Sequence, residues 1–189
     1  MNVIFDMDET LISHDKNDSI FPRPHLNIFL RYCFETFETV SIWTNAEKGW
    51  FEKANQEVFI PILKEINEEC GTDHDFYFVY TRERSSMKRV KTNHFYDGGS
   101  YRVKRLKKIW RKKQTPHTRY NTIIVDDNDE TYEDNYGNAI PIKAWHHTSS
   151  FDTELLKLAQ YFGILIKQIE SGDNVLYIEK RWWRKKMKS

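Results

Sequence analysis

Asp6 and Asp8 stand two residues apart in Phe5-Asp6-Met7-Asp8-Glu9-Thr10, directly after the apolar run Val3-Ile4-Phe5. Two further runs end in polar groups. Val40-Ser41-Ile42-Trp43 leads to Thr44, and Thr122-Ile123-Ile124-Val125 leads to Asp126 and Asp127. Short apolar runs of this kind read as buried strands. In an open parallel sheet, ligands bind beyond the carboxyl ends of the strands, so the three endpoints can converge on one pocket. Four carboxylates in one place cannot all stay ionised without a cation. A hard divalent ion such as Mg2+ suits oxygen donors and keeps positions open for phosphate. The segment Tyr101-Arg102-Val103-Lys104 supplies a basic side chain for the same pocket. Taken singly, an Asp after a strand is usually a turn or cap residue; only the set points to chemistry.

The elements that must carry these residues follow from periodicity. Leu26, Phe29, Leu30, Cys33, Phe34 and Phe37 recur at helical spacing after Pro24, and a second helical stretch is predicted from about Lys48 to Glu68. Phe76 to Tyr80 is β-prone by composition, and Asp97-Gly98-Gly99 is a turn signal. Residues 72–101 therefore read as a small β-rich insertion on the main sheet. Arg102 to Lys113 carries eight basic residues in twelve and is predicted as a helix with Leu106, Ile109 and Trp110 turned inward. Ala139-Ile140-Pro141-Ile142 reads as an edge strand, Asp152 to Ile169 as the last long helix, and Val175 to Ile178 as a final strand before a basic tail. Strands alternating with helices predict an α/β fold with a central parallel sheet.

The 189 residues suit one domain with an insertion. A 39% hydrophobic and 15% aromatic content excludes a chain disordered throughout. No apolar run reaches the length of a membrane span. Lys plus Arg (29) nearly balances Asp plus Glu (28), giving a net charge of +1, so only local charge can select a partner. Cys33 and Cys70 form neither a disulfide framework nor a zinc motif. With no targeting segment visible, a cytoplasmic or nuclear protein is expected.

Phe5-Asp6-Met7-Asp8-Glu9-Thr10-Leu11 resembles the DxDx(T/V) nucleophile motif of haloacid dehalogenase superfamily phosphatases. Ile42-Trp43-Thr44-Asn45 resembles their second motif, Lys104 falls where the third-motif Lys is expected, and Val125-Asp126-Asp127 matches the acidic fourth. Arg23-Pro24-His25-Leu26, Asn138-Ala139-Ile140-Pro141-Ile142 and Asp152-Thr153-Glu154-Leu155 further resemble the FCP/SCP-type, NLI-interacting-factor-like phosphatases of the RNA polymerase II C-terminal domain. The resemblance spans about Val3 to Leu165. It departs at Lys104-Arg105-Leu106, where the family often has Lys-Asp-Leu.

This resemblance implies a Rossmann-like haloacid dehalogenase fold over residues 1–170, with the insertion at about 72–101 between the second and third motifs. Residues 171–189 would form a C-terminal strand and basic tail. It implies a Mg2+-dependent phosphatase acting on Ser or Thr of phosphorylated proteins or peptides. Asp6 would be the nucleophile that becomes an aspartyl-phosphate, and Asp8 the general acid and base. Thr44 and Lys104 would bind phosphoryl oxygens. Asp6, Asp8, Asp126 and Asp127 would hold the metal, and Asn45 and Trp50 would contact substrate. Arg102 and Arg105 rival Lys104, Thr44 could also cap the helix that follows, and Trp50 serves either the substrate entrance or the core. Asp129, Glu130, Glu133 and Asp134 read as a solvated acidic turn, and His146 and His147 as surface residues. A nucleotide or nucleic-acid 3′-phosphatase, with the basic stretch as its contact, and a non-catalytic phosphopeptide-binding module are the alternative readings. No membrane partner is expected.

Overall fold

The computed structural model describes residues 1–89, 99–149 and 151–188. In chain order the strands are β1 (Asn2–Phe5), β2 (Ile12–His14), β3 (Ile20–Pro22), β4 (Thr39–Trp43), β5 (Val79–Tyr80), β6 (Ser86–Arg89), β7 (Ser100–Val103), β8 (Thr122–Asp126) and β9 (Ala139–Pro141). The α-helices are α1 (Leu26–Thr36), α2 (Lys48–Ala54), α3 (Ile60–Cys70), α4 (Lys107–Trp110), α5 (Asp129–Tyr132) and α6 (Glu154–Glu170). A π-helical segment, Asn55–Phe59, joins α2 to α3, so the helical stretch predicted after Thr44 is continuous but not uniform.

The main sheet has the order β5-β4-β1-β8-β9, and every pairing in it is parallel. This is the α/β parallel architecture that the alternating pattern predicts. β1 lies at its centre and is buried along its whole length, because helices cover both faces. The two-residue period divides the strands between two cores. Val3, Phe5, Val40, Ile42, Ile123 and Val125 face α1 and α6, where Phe29 and Phe162 stack at 6.0 Å and Phe5 meets Phe29 edge-on at 5.4 Å. Ile4, Trp43 and Ile124 face a smaller cluster built by Tyr80, Leu106, Ile109 and Tyr132.

Several elements differ from the sequence expectation. Val79–Tyr80 belongs to the main sheet, as its edge beside β4, whereas β6 and β7 form a separate antiparallel hairpin. The turn expected at 97–99 lies largely outside the described residues. Arg102 to Lys113 is not one helix: Arg102 sits on β7 opposite Met87, and only Lys107–Trp110 is α-helical. The amides that would start a longer helix are taken elsewhere, Lys104 N by Thr131 O at 2.6 Å and Leu106 N by Asn135 Oδ1 at 3.1 Å. Val175 to Ile178 is turn rather than strand. There Asn174 Oδ1 accepts from Leu176 N at 2.9 Å, and the Lys180 ammonium donates to the Val175 and Ile178 carbonyls that a ladder would have used. Trp183 packs into the core while Trp182 stays outside. Among the described residues, no helix is long and apolar enough to cross a membrane.

The Arg23 side chain is fully buried and ties distant segments together. It makes a two-pronged pair with Asp152, both contacts at 2.9 Å, and donates to the carbonyls of Thr10 (3.0 Å) and Lys143 (3.0 Å). Bidentate geometry of this kind makes Arg a stronger clamp than Lys. It fixes the loop after Asp8 against the segment entering α6.

Candidate active site

β1, β4 and β8 are adjacent and parallel, so Asp6, Thr44 and Asp126-Asp127 emerge at one end of the sheet. Asp6 N still joins the ladder, bonding Val125 O at 2.9 Å. Beyond it the chain turns sharply. The amides of Leu11 and Ile12 both return to Met7 O at 2.8 and 3.1 Å, and Glu9 takes φ 59°. A residue with a Cβ rarely adopts that left-handed conformation. The turn separates Asp6 from Asp8, which would share one side if the strand ran on.

Oxygens of Asp6, Asp126 and Asp127 lie within 4.8 Å of one another. Lys104 enters between the first two, its Nζ donating to Asp126 Oδ2 at 2.7 Å and to Asp6 Oδ1. The ammonium is completely buried, which distinguishes Lys104 from its basic neighbours. Arg105 pairs with Asp134 at 2.7 Å on the surface, and Arg102 donates to Arg82 O at 2.9 Å. Asn135 holds the Lys104 backbone from both sides, donating to Lys104 O and accepting from Leu106 N. Asp126 is fixed by Thr131 Oγ1 at 2.6 Å and by Asn128 N at 3.0 Å. Asp127 accepts from Thr10 Oγ1 at 3.0 Å.

Burial drives the Asp6 carboxyl well above the ordinary carboxylate range; the Lys104 charge opposes this and Asp126 adds to it. Burial, then Asp126, raises Asp127 as well. For Lys104, burial would favour the neutral amine, but Asp126 and Asp6 outweigh it and hold the ammonium charged. Three carboxylates against one ammonium leave a formal charge of 1 − 3 = −2. An all-oxygen donor set with surplus negative charge fits a hard divalent ion such as Mg2+. Asp6, Asp126 and Asp127 are the residues that would hold it.

The Asp8 carboxylate is not part of that cluster. It accepts from Trp50 Nε1 at 2.8 Å and from Thr44 Oγ1 at 3.3 Å. Thr44 is buried and does not cap α2; its Oγ1 accepts from Ala46 N at 2.9 Å, and the residue preceding α2 is Glu47. Asn45 Oδ1 accepts from Ser85 Oγ at 2.5 Å, and Ser85 in turn accepts from Trp43 Nε1 at 3.1 Å. Asn45 is thereby tethered toward the segment after β5. His146 is exposed and His147 stacks on Phe21, so neither joins the acidic cluster.

Residues 1–175 match the NLI interacting factor-like phosphatase profile, which covers the whole of this site. The chain belongs to the NLI interacting factor-like phosphatase family. Among its relatives are the ubiquitin-like domain-containing CTD phosphatases 1 of Homo sapiens and Bos taurus. Each is 26% identical to it over 189 residues, covering 97% of this chain and 54% of theirs. The chain thus spans about half the length of the curated relatives it matches. A solved structure of a fission yeast RNA polymerase II CTD phosphatase bound to beryllium fluoride aligns with 88% of this chain and 51% of its own, at 15% identity and a TM-score of 0.48.

In this NLI interacting factor-like phosphatase, the sequence reading left several supports of the site without a role. Thr10 stands inside the Asp6-to-Leu11 string, yet its partner Asp127 is 117 residues away. Thr131 and Asn135 follow Asp126 within a stretch that reads as a solvated acidic turn. That turn is in fact engaged, with Glu133 accepting from Lys88 at 2.6 Å and from Tyr101 at 2.7 Å. No local pattern marks these residues: Thr10 and Asn135 act on segments remote in sequence, and Thr131 meets Asp126 only once the intervening turn has formed.

Proposed function

We propose that the chain is a Mg2+-dependent protein Ser/Thr phosphatase. Its substrate is a phosphorylated peptide segment of the kind carried by the RNA polymerase II C-terminal domain, for which its relatives are named. The observation that carries the chemistry is the separation of two carboxylates from one loop. Asp6 lies against the Lys104 ammonium among other acids, while Asp8 hangs from an indole and a hydroxyl. Carboxylates in contrasting environments can take contrasting roles.

Asp6 attacks phosphorus and forms an aspartyl-phosphate as the serine or threonine oxygen leaves. Asp8, in its protonated form, gives that oxygen a proton and then takes one from the water that hydrolyses the intermediate. Lys104 and Thr44 hold the non-bridging phosphoryl oxygens, Asn45 shapes the wall beside them, and Trp50 orients Asp8 at the entrance. Asp6, Asp126 and Asp127 would hold Mg2+, which would supply charge neutralisation for attack on an anionic phosphoryl group. The catalytic unit is residues 1–170, with an insertion at about 72–101 and a C-terminal segment at 171–189. Acting on such a substrate, the protein would work in the cytoplasm or nucleus.

Rapid-quench kinetics of Asp8→Asn test this reading. A serine alkoxide needs a proton to leave, whereas an activated phenolate does not. The variant should therefore turn over a phosphopeptide very slowly. With an activated aryl phosphate it should release a first burst of phenol and then stall. Equal loss of the burst rate on both substrates would remove Asp8 from the role of proton donor.

A further inference from the structure

On the face of the sheet that carries Trp43, a concave groove of about 640 Å3 opens between α4 and the segment after β5. Arg84, Arg105, Lys107, Lys108, Arg111 and Lys112 line it, with Tyr80 at its floor and Glu83 at its rim. Arg105 is paired with Asp134. Among the described residues the other five cations have no carboxylate partner. Two are spent on the floor: the Arg84 guanidinium lies 5.5 Å from the centre of the Tyr80 ring, and Lys112 Nζ lies over the ring at 4.7 Å and donates to the phenol oxygen. A phenol that accepts from Lys112 keeps its own proton for a ligand oxygen. Burial, then the charges of Arg105 and Arg84, lowers the Lys108 ammonium, so the groove holds repulsion that an anion would relieve.

Single steps of chain link residues of the groove to residues of the active site. Arg105 follows Lys104, and Arg84 precedes the Ser85 that holds Asn45. Glu83 also borders a second concavity lined by Glu47, Lys48, Gly49, Arg82 and Arg102, directly before Trp50, in which Arg82 pairs with Glu47. We propose that the groove is a second phosphoryl site, which takes a phosphorylated side chain of the same peptide whose other phosphoryl group enters the Asp6 pocket. The inference rests on the phosphatase reading above and narrows its substrate to multiply phosphorylated peptides. Glu83 favours a peptide over a nucleic acid. Its carboxylate, with Glu47 beyond it, stands between the groove and the second concavity, where an unbroken phosphate backbone would have to pass both acids. Discrete phosphoryl groups separated by neutral residues straddle them.

The test uses the full chain and synthetic peptides carrying one phosphoserine, or two with the second moved one position at a time. Wild type should show kcat/KM roughly tenfold higher for a doubly phosphorylated peptide at the matching spacing. Lys108→Gln/Arg111→Gln/Lys112→Gln should bring that ratio close to one while leaving an activated aryl phosphate unaffected. Lys107→Gln/Arg111→Gln removes two side chains with no polar partner among the described residues, and should lower the ratio without disturbing the fold. Equal wild-type rates on all peptides, or a ratio preserved in both variants, would overturn the proposal. Fluorescence anisotropy of a labelled doubly phosphorylated peptide separates this from failure of the phosphatase reading. Loss of affinity in the groove variants supports the site even if no substrate turns over. If an oligonucleotide without a terminal phosphate displaces the labelled peptide better than the unlabelled peptide does, the groove is a nucleic-acid surface and the proposal fails.

Discussion

Trp50 Nε1 donates to Asp8 Oδ1 at 2.8 Å, while Thr44 Oγ1 reaches the other oxygen of the same carboxylate at 3.3 Å. Asp8 is thus held by α2 and by the end of β4, and its position depends on neither the acidic cluster nor Lys104. This explains how a loop with two acids gives them separate surroundings.

Trp50→Phe keeps the ring and removes the donor. It should lower kcat on a phosphopeptide about tenfold, the worth of one hydrogen bond to a charged group, and change the activated aryl phosphate much less. KM should stay near wild type. Equal losses on the two substrates would show that Trp50 binds substrate and does not orient Asp8.

Asp6→Asn should abolish turnover. It should also raise the melting temperature in chelator by a few degrees, because it removes a desolvated charge from a crowded site; such functional strain is worth about 1 kcal/mol. Mg2+ at a hundred times its Kd should stabilise the wild type by about 2.7 kcal/mol and the variant distinctly less. Thermal melts with and without Mg2+ check both parts, and an unchanged Mg2+ response in the variant would take Asp6 out of the metal set.

Lys104→Ala leaves two buried carboxylates facing each other. Breaking a buried ion pair costs about 3–5 kcal/mol, and a lost transition-state donor costs about 10²–10³ in rate. Arg105→Ala, which breaks a surface pair, should cost less than about 1 kcal/mol and little rate on an activated aryl phosphate. Urea denaturation and steady-state kinetics on both variants check this contrast.

His117 lies at the opposite end of the sheet. Its Nε2 is 3.2 Å from Thr39 Oγ1 and its Nδ1 is 3.4 Å from Thr122 Oγ1. Burial lowers it from 6.5 to about 4. The folded protein therefore takes up its proton later than the unfolded chain, and stability present above pH 6.5 is lost as pH falls toward 4. The loss should amount to about 3 kcal/mol. Urea denaturation across this range should show it, with a shallower slope in His117→Gln.

The acidic ends of β1 and β8 were legible in the sequence because short apolar runs stop at them. Lys104 was legible only by resemblance: eight basic residues in twelve offer no local reason to prefer one. Burial against Asp6 and Asp126 makes that choice, and burial is a tertiary property. The parting of Asp6 from Asp8 depends on the left-handed Glu9, which no residue type announces. The hairpin of β2 and β3 escaped because three-residue strands carry too little pattern to register a period. The strings around Arg23 and Asp152 were visible, but their pairing across 129 residues was not. The final strand failed because Asn174 and Lys180 satisfy backbone groups that composition alone assigns to a ladder.

The central place of β1 has a kinetic consequence. Asn2–Phe5 must find Thr39–Trp43 on one side and Thr122–Asp126 on the other, and parallel pairings between such distant segments form slowly because loop entropy is lost before contacts compensate. Asp6 and Asp126 meet only when the second of these closures is complete. If the proposed activity is correct, turnover during refolding should report this long-range closure and lag behind the recovery of helical circular dichroism.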